Sequence, residues 1–323
     1  MKLYSNEENK KLIASMISKG REPHSVIITG ERGSGRKALA SYYAAALLCE
    51  NGSGTSCGRC KSCRMLEHSN HPDFITLAAN ENGNYTLETV RAMVSDAVIK
   101  PNEGAYKVYL IPDFDRSVNT ATAVQNVLLK LIEEPPPHCV VIMTASTKEV
   151  FLQTILSRVI CFGTEPCTRQ QAEEWLTVQG CYQQDDIIHA VGCCGGNFGR
   201  CVEFLTGKEL PAAYECARAA AEALIKGSEY ELLKALTKAD SKSILRQALI
   251  FLAETARSVS LCCIGVSHEP CCCEKQAEAL ASRFSSSSAE QLYALVTEAA
   301  DRLDRNCTQT LTVNDLTAKA SRL

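Results

Sequence analysis

Short apolar runs and longer amphipathic runs alternate along the first half of the sequence. The short runs are rich in β-branched residues and end at polar residues, glycine or proline, which is typical of buried strands. The longer runs repeat apolar residues at a helical period. Strands are predicted at residues 24–29, 73–77, 107–111, 139–144 and 159–162, and helices at 6–19, 38–49, 87–98, 120–132 and 149–156. This alternation predicts an α/β fold in which helices cover a parallel sheet. Ser5 is the expected N-cap of the first helix.

The second half of the chain has only helical patterns. Three short helices are predicted at residues 168–178, 184–190 and 198–205, and they form a small helical domain. Longer helices are predicted at residues 212–226, 229–238, 243–261, 273–284, 289–306 and 313–323. The change of pattern predicts an α/β domain followed by two all-α regions.

Composition narrows the function classes. The 323 residues carry a net charge of −3, so the chain does not coat nucleic acid by charge alone. No run approaches 18 uncharged apolar residues, and the polar N-terminus does not resemble a signal peptide, so we expect a cytoplasmic protein with no membrane contact. Eighteen cysteines in such a chain indicate reduced thiols and metal sites.

A glycine-rich loop joins the first predicted strand to the helix at 38–49. Its glycines, Gly30, Gly33 and Gly35, follow the order of a phosphate-binding P-loop. Arg36 stands where the P-loop lysine belongs, and Lys37 stands where the Ser/Thr that ligates Mg²⁺ belongs. A shift of one residue is about 100° of helix rotation, so Lys37 does not replace the missing lysine. The loop predicts a P-loop fold that has lost ATP hydrolysis, although Arg36 leaves nucleotide binding open.

The acidic residue that an ATPase needs at a neighbouring strand end is also altered. Such a residue holds Mg²⁺, and the matching stretch here is Val108 to Asp115. Pro112 stands where the metal-binding Asp is expected, and Asp113 follows at the next position. Changes at both motifs predict that this chain does not hydrolyse ATP.

Four cysteines after the P-loop helix have the spacing of a metal site. Cys49, Cys57, Cys60 and Cys63 contain two overlapping C-x₂-C steps. Four thiolates suit tetrahedral Zn²⁺ and leave no open position, so the predicted ion at 49–63 is structural. A second cysteine-rich segment at residues 262–273, which includes His268, lacks regular ligand spacing. It is interpreted as a helix junction, with metal binding as the alternative.

Several further motifs occur in the order and spacing of a known family. They are Pro23-His24, the cysteine insertion, His71-Pro72-Asp73, Lys107-Val108-Tyr109, the run from Val124 to Pro136, Leu156-Ser157-Arg158, and the run from Gly196 to Arg200. On these residues, over positions 1 to about 206, the chain resembles the AAA+ clamp-loader family, in particular its delta-prime type of subunit in bacterial DNA polymerase III. The family's Ser-Arg-Cys motif is here Ser157-Arg158-Val159, which keeps the arginine and loses the cysteine.

The resemblance implies a subunit of a pentameric loader that places a ring-shaped sliding clamp on primed DNA. The implied domains are an AAA+ domain with the zinc insertion at 1–164, a helical lid at 165–207 and a helical collar for oligomerisation at 208–323. The implied partners are gamma/tau and delta subunits, the beta sliding clamp, and DNA contacted through the assembled complex. ATP would be bound by neighbouring subunits, and Arg158 would reach one of them as an arginine finger. The chain itself would not hydrolyse ATP, although it would belong to a DNA polymerase holoenzyme.

Two other functions remain open on the residues. The chain could be an active gamma/tau-like ATPase with an unusual P-loop, or a zinc-dependent DNA-binding module. The near-neutral charge and the closed Cys₄ spacing argue against the module. Without the family resemblance, Arg158 would be interpreted as a surface arginine in a turn, and Arg200 as an arginine on a helix face.

Overall fold

The computed structural model describes residues 3–81, 83–116, 121–266 and 271–323. In this part of the chain, five strands form one sheet in the order β2-β3-β4-β1-β5, and every neighbouring pair is parallel. The strands are β1 (Ser25–Thr29), β2 (Phe74–Thr76), β3 (Lys107–Ile111), β4 (Cys139–Ala145) and β5 (Ile160–Gly163). The predicted parallel α/β fold is confirmed.

Six α-helices accompany the sheet and nine more follow in the described residues. They are α1 (Glu7–Ser18), α2 (Arg36–Leu48), α3 (Lys61–Glu67), α4 (Leu87–Asp96), α5 (Ala121–Glu133), α6 (Gln153–Leu156), α7 (Arg169–Gln179), α8 (Gln184–Cys194), α9 (Phe198–Thr206), α10 (Glu209–Lys226), α11 (Glu229–Thr237), α12 (Lys242–Cys263), α13 (Glu274–Ala281), α14 (Ser286–Asp304) and α15 (Gln309–Ala320). Thr120, the first residue of one predicted helix, lies outside the described residues.

Both faces of the three central strands, β3, β4 and β1, are buried, which explains their nearly continuous apolar runs. Successive side chains point to opposite faces. Ile27 and Met143 belong to a core that includes apolar residues of α4 and α5. Ile28 and Ile142 belong to the opposite core, with apolar residues of α1 and α2.

Three local predictions are corrected. Helix α1 begins after Asn6 and not after Ser5, and the Glu165 carboxylate accepts the N–H groups of its first turn at 3.0 Å. The helix predicted at 149–156 is a 3₁₀ turn (Lys148–Val150) and the short α6, because the intervening Phe151 is extended and buried against Phe114. Helix α3 had not been predicted.

Asp73, just before β2, fixes the loop that leads into β3. Its carboxylate accepts backbone N–H groups of Asn102, Glu103 and Gly104 at 2.6, 2.7 and 3.1 Å. Burial alone would raise the pKa of Asp73, but these N–H groups outweigh it and lower the pKa. His71 accepts the Asp73 N–H at Nδ1, so this histidine belongs to the same loop anchor.

The chain divides into two compact units, Met1–Gln171 and Ala172–Leu323, and the division falls within α7. In the second unit, α12 packs against α10, α13 and α14. Tyr214 of α10 contacts the rings of His189, Phe204 and Phe251. Helices of the predicted lid and collar therefore belong to one unit, and the division into three domains stays a prediction. None of the described helices is long and apolar enough to span a membrane.

Candidate functional site

The loop between β1 and α2, which was predicted to be a P-loop, has two glycines with a left-handed backbone. Gly33 and Gly35 have φ values of 86° and 87°, in the left-handed region that glycine adopts without strain. Gly30 is needed for a different reason, because a Cβ there would lie 1.8 Å from Thr164 Oγ1. That hydroxyl also bonds Ser34 Oγ at 2.8 Å. The loop is therefore closely packed as it enters the first turn of α2.

The two cations that open α2 bind the same carboxylate. Arg36 Nη2 donates to Asp113 Oδ1 at 3.0 Å, and Lys37 Nζ lies 2.9 Å from Asp113 Oδ2. The Arg36 side chain is 7% exposed, whereas that of Lys37 is 59% exposed. The side chains thus leave the helix in different directions and still converge on one partner. The positive charges that a phosphate would meet are neutralised in part within the chain.

Asp113 is held in place by its backbone as well as by its carboxylate. It follows β3 with a φ of 49°, which is uncommon for a residue other than glycine. Its N–H donates to the buried Thr144 Oγ1 at 2.8 Å. The carboxylate that follows this strand end therefore binds the α2 cations, and Pro112 occupies the position before it.

The four cysteines predicted from spacing come together after α2. All four sulfur atoms of Cys49, Cys57, Cys60 and Cys63 lie within 4.8 Å of one another, and Cys57 Sγ and Cys63 Sγ are 3.9 Å apart. A tetrahedral ion with Zn–S bonds of about 2.3 Å requires sulfur atoms about 3.8 Å apart. This cluster could therefore hold a metal ion, and its geometry is consistent with zinc.

Backbone N–H groups point at two of these sulfur atoms. Cys57 Sγ accepts from Arg59 and Cys60 at 3.5 and 3.4 Å, and Cys60 Sγ accepts from Cys63 at 3.4 Å. The N–H groups of Arg59 and Cys60 lower the pKa of the Cys57 thiol, whereas burial raises the pKa of the Cys49 thiol. Donors aimed at sulfur favour the thiolate form that binds metal.

The second cysteine-rich segment has no such geometry. Cys272 Sγ and Cys273 Sγ are 3.9 Å apart, but Cys263 Sγ donates to the carbonyl oxygen of Phe284, in the connection between α13 and α14. Within the described ranges, the only group of three or more residues placed to ligate one metal is the cluster at 49–63. His268 lies outside the described residues.

Arg158 lies between α6 and β5 with 43% of its side chain exposed. Its Nη1 donates to the Thr154 carbonyl oxygen at 2.9 Å and to Ser157 Oγ at 3.0 Å. Its Nη2 lies 3.2 Å from Glu133 Oε1. The guanidinium is thus oriented by its own chain and still reaches solvent.

Arg200, which belongs to the predicted lid at 165–207, packs within the second unit. Its guanidinium carbon lies 5.5 Å from the centre of the Phe251 ring, an arrangement typical of a cation–π contact. Asn197 Oδ1 accepts the Arg200 N–H at 3.1 Å and caps α9. The Arg200 side chain therefore has an aromatic partner within its own unit.

Sequence reasoning missed two residues of α5 that support Arg158. Glu133 contacts it directly. Gln125 accepts the Leu152 N–H at 2.6 Å and donates to the Val150 carbonyl oxygen at 3.0 Å, which fixes the segment leading into α6. The helical period identified α5, but no local spacing could pair its residues with a segment so much later in the chain.

Comparisons with known proteins identify the family. The family model described as DNA polymerase III, delta subunit, matches residues 5–167. The DNA polymerase III subunit delta-prime of Escherichia coli (strain K12) is 31% identical over 70% of this chain and 67% of its own length. The subunit tau of Salmonella typhimurium is 32% identical over 51% of this chain, but only 25% of tau is covered.

A solved structure of a gamma subunit-related protein from Thermotoga maritima aligns over 97% of this chain and 98% of that one, with 15% identity and a TM-score of 0.42. The family match covers the α/β unit, where the altered P-loop and the cysteine cluster lie. Of these two relatives, the delta-prime subunit is covered over 67% of its own length and tau over only 25%. The chain therefore belongs to the DNA polymerase III delta-subunit family and is a delta-prime-like clamp-loader subunit.

Proposed function

We propose that this chain is a non-hydrolysing subunit of a clamp loader, which helps to place a sliding clamp on primed DNA. The observation that carries the proposal is the position of Asp113. Its carboxylate pairs with Arg36 and Lys37 at 3.0 and 2.9 Å. An ATPase of this fold keeps a P-loop cation for phosphate and an acid for Mg²⁺. Here Pro112 stands at the place of that acid, and the cations that open α2 bind the carboxylate of the residue that follows it.

The electrostatic argument has two parts. A nucleotide entering the loop would have to displace a carboxylate that is only 11% exposed. A Mg²⁺ ion would meet Lys37 where a hydroxyl ligand is required, and two cations close together repel. Both effects oppose binding of MgATP to this chain and support ATP binding by neighbouring gamma/tau subunits.

The cysteine cluster would hold a structural Zn²⁺. Cys49, Cys57, Cys60 and Cys63 would supply four sulfur ligands and leave no open position, so the ion would have no catalytic role. The ion would connect the end of α2 to α3, because Cys49 follows α2 and Cys63 lies within α3.

Arg158 would act on a neighbouring subunit. Charge builds up on phosphoryl oxygens in the transition state of ATP hydrolysis, and a guanidinium stabilises it with several N–H groups while remaining cationic. The exposure of Arg158 supports such a role in trans. The collar helices would join the subunits, and a cytoplasmic location would follow from work on chromosomal DNA.

Reconstitution tests this function. The purified chain alone should hydrolyse no ATP above background. Mixed with gamma/tau and delta subunits, it should form a complex that loads the beta clamp onto primed DNA. Arg158→Ala should assemble normally and lower the clamp-stimulated ATPase rate. A loader that assembles and works equally well without this chain would rule the proposal out.

One observation favours a second function. The similarity to tau, a subunit of the ATPase type, extends over half of this chain. An active ATPase with an unusual P-loop would hydrolyse ATP as the isolated chain, and Lys37→Ala would abolish that activity.

A further inference from the structure

Arg158 is held by three acceptors of its own chain, and one of them is charged. Thr154 and Ser157 lie in the turn that precedes Arg158, so their contacts to Nη1 are local. Glu133 is different, because it is the last residue of α5 and reaches Arg158 from another element. It is the only acidic partner of Arg158 among the described residues. Tertiary packing thus places a carboxylate beside this arginine.

The remaining donors of the guanidinium stay available. An arginine side chain has five N–H groups, and Nη1 uses its two on Thr154 and Ser157. Nη2 faces Glu133 Oε1 at 3.2 Å. The Nε–H has no acceptor in the part of the chain that the structure describes. One side of the guanidinium is therefore fixed, and the rest is free to meet an acceptor from outside.

We propose that Glu133 is a positioning residue for Arg158, and this inference rests on the proposed function of Arg158 as an arginine finger. A free arginine side chain loses rotamer entropy when it is ordered. The contact with Glu133 orders the guanidinium before a neighbouring subunit docks. The phosphate oxygens of the neighbour then meet donors that already point outwards.

The test is a reconstituted loader that contains Glu133→Gln, which keeps the size and an oxygen acceptor but removes the charge. Half-exposed ion pairs are modest interactions, so the clamp-stimulated kcat for ATP should fall about two- to five-fold. The KM for ATP should not change, because ATP is bound by the neighbour. Glu134→Gln is the matched control, since Glu134 is adjacent and exposed and makes no ion pair in the described structure. It should leave kcat unchanged.

A double-mutant cycle separates positioning from general damage. In a loader that carries Arg158→Ala, adding Glu133→Gln should cause no further loss, because the residue through which Glu133 acts is absent. A full additional loss in that background, or a rise of kcat in Glu133→Gln alone, would overturn the inference. If Arg158→Ala lowers kcat and Glu133→Gln does not, the inference fails and the proposed function stands. If neither variant changes kcat, the arginine-finger role itself fails.

Discussion

Replacing Asp113 by asparagine would remove the negative charge between Arg36 and Lys37 and keep the shape of the side chain. Asparagine is also among the few residues that accept a positive φ, so the backbone at 49° should persist. The N–H bond to Thr144 Oγ1 does not depend on the side chain. The substitution therefore changes the charge of the P-loop with little change in structure.

The expected loss of stability follows from the exposure of the two pairs. Lys37 is 59% exposed, so its pair contributes at most about 1 kcal/mol. Arg36 is 7% exposed, and a hydrogen bond to a charged group contributes about 1.5–3 kcal/mol, part of which the amide oxygen retains. We expect a loss of about 1–3 kcal/mol in the free energy of unfolding. The Tm of a unit of this size should fall by roughly 3–10 °C.

Anion binding should change in the opposite direction. With Asp113→Asn, both cations become available at a helix N-terminus that already favours anions. If the carboxylate contributes about 1–3 kcal/mol as an internal competitor, the affinity for tripolyphosphate should rise about 5- to 150-fold. Isothermal titration calorimetry without Mg²⁺ measures this change.

Asp115→Asn is the matched control, because the Asp115 carboxylate accepts from the Ser146 N–H at 3.2 Å and forms no ion pair with the α2 cations in the described residues. It should leave tripolyphosphate affinity unchanged. Equal affinity in the wild type and Asp113→Asn would refute the internal competition. Tight binding by the wild type would refute it as well.

Three further predictions concern the metal, the second unit and acid stability. Metal analysis should find one Zn²⁺ per chain in the wild type and less in Cys60→Ser. Equal zinc content in both would contradict the proposal that the cysteine cluster at 49–63 binds the ion. A chain ending at Gln171 should fold as the wild-type first unit does. A chain ending at Gly207 should expose residues 172–207 to protease, because their contacts with Tyr214 are lost. Both truncated chains should fail to join a loader, and full incorporation of either one in size-exclusion chromatography would contradict the collar role. Asp73→Asn should lower the free energy of unfolding at neutral pH by about 1–3 kcal/mol. Since the folded pKa of Asp73 is lowered, its stabilisation is present above the unfolded pKa of about 3.9 and is lost as pH falls through the folded pKa. Chemical denaturation across this pH range should show that the free energy of unfolding falls less on acidification in Asp73→Asn than in the wild type.

The sequence predicted those helices and strands in which apolar residues recur with a regular period. The strand Lys107–Ile111 was predicted with its observed bounds, and the other strands differ by one residue at one or both ends. The short α3 was missed because its seven residues are too few to show a clear helical period. The N-cap of α1 was misplaced because Glu165, which lies far along the chain, accepts the N–H groups of its first turn.

In the site, too, features set by neighbouring residues were predicted, whereas contacts between distant residues were not. The spacing of Cys49, Cys57, Cys60 and Cys63 predicted their cluster, because ligands of one knuckle lie close in sequence. The substitutions at Arg36 and Lys37 predicted a changed P-loop. Their pairing with Asp113 was beyond sequence reasoning, since β3 comes beside α2 only after the sheet forms.

The sequence by itself determined the alternating α/β half, the helical half, the cysteine cluster and the altered nucleotide motifs. These features depend on hydrophobic period, turn residues and ligand spacing, which act over a few residues. Three contacts were decided by the tertiary structure alone. Asp113 forms ion pairs with the two cations that open α2, Glu133 contacts Arg158, and Arg200 packs on Phe251. Each of these contacts joins elements distant in the chain, and their side chains meet only when the apolar faces between them are buried.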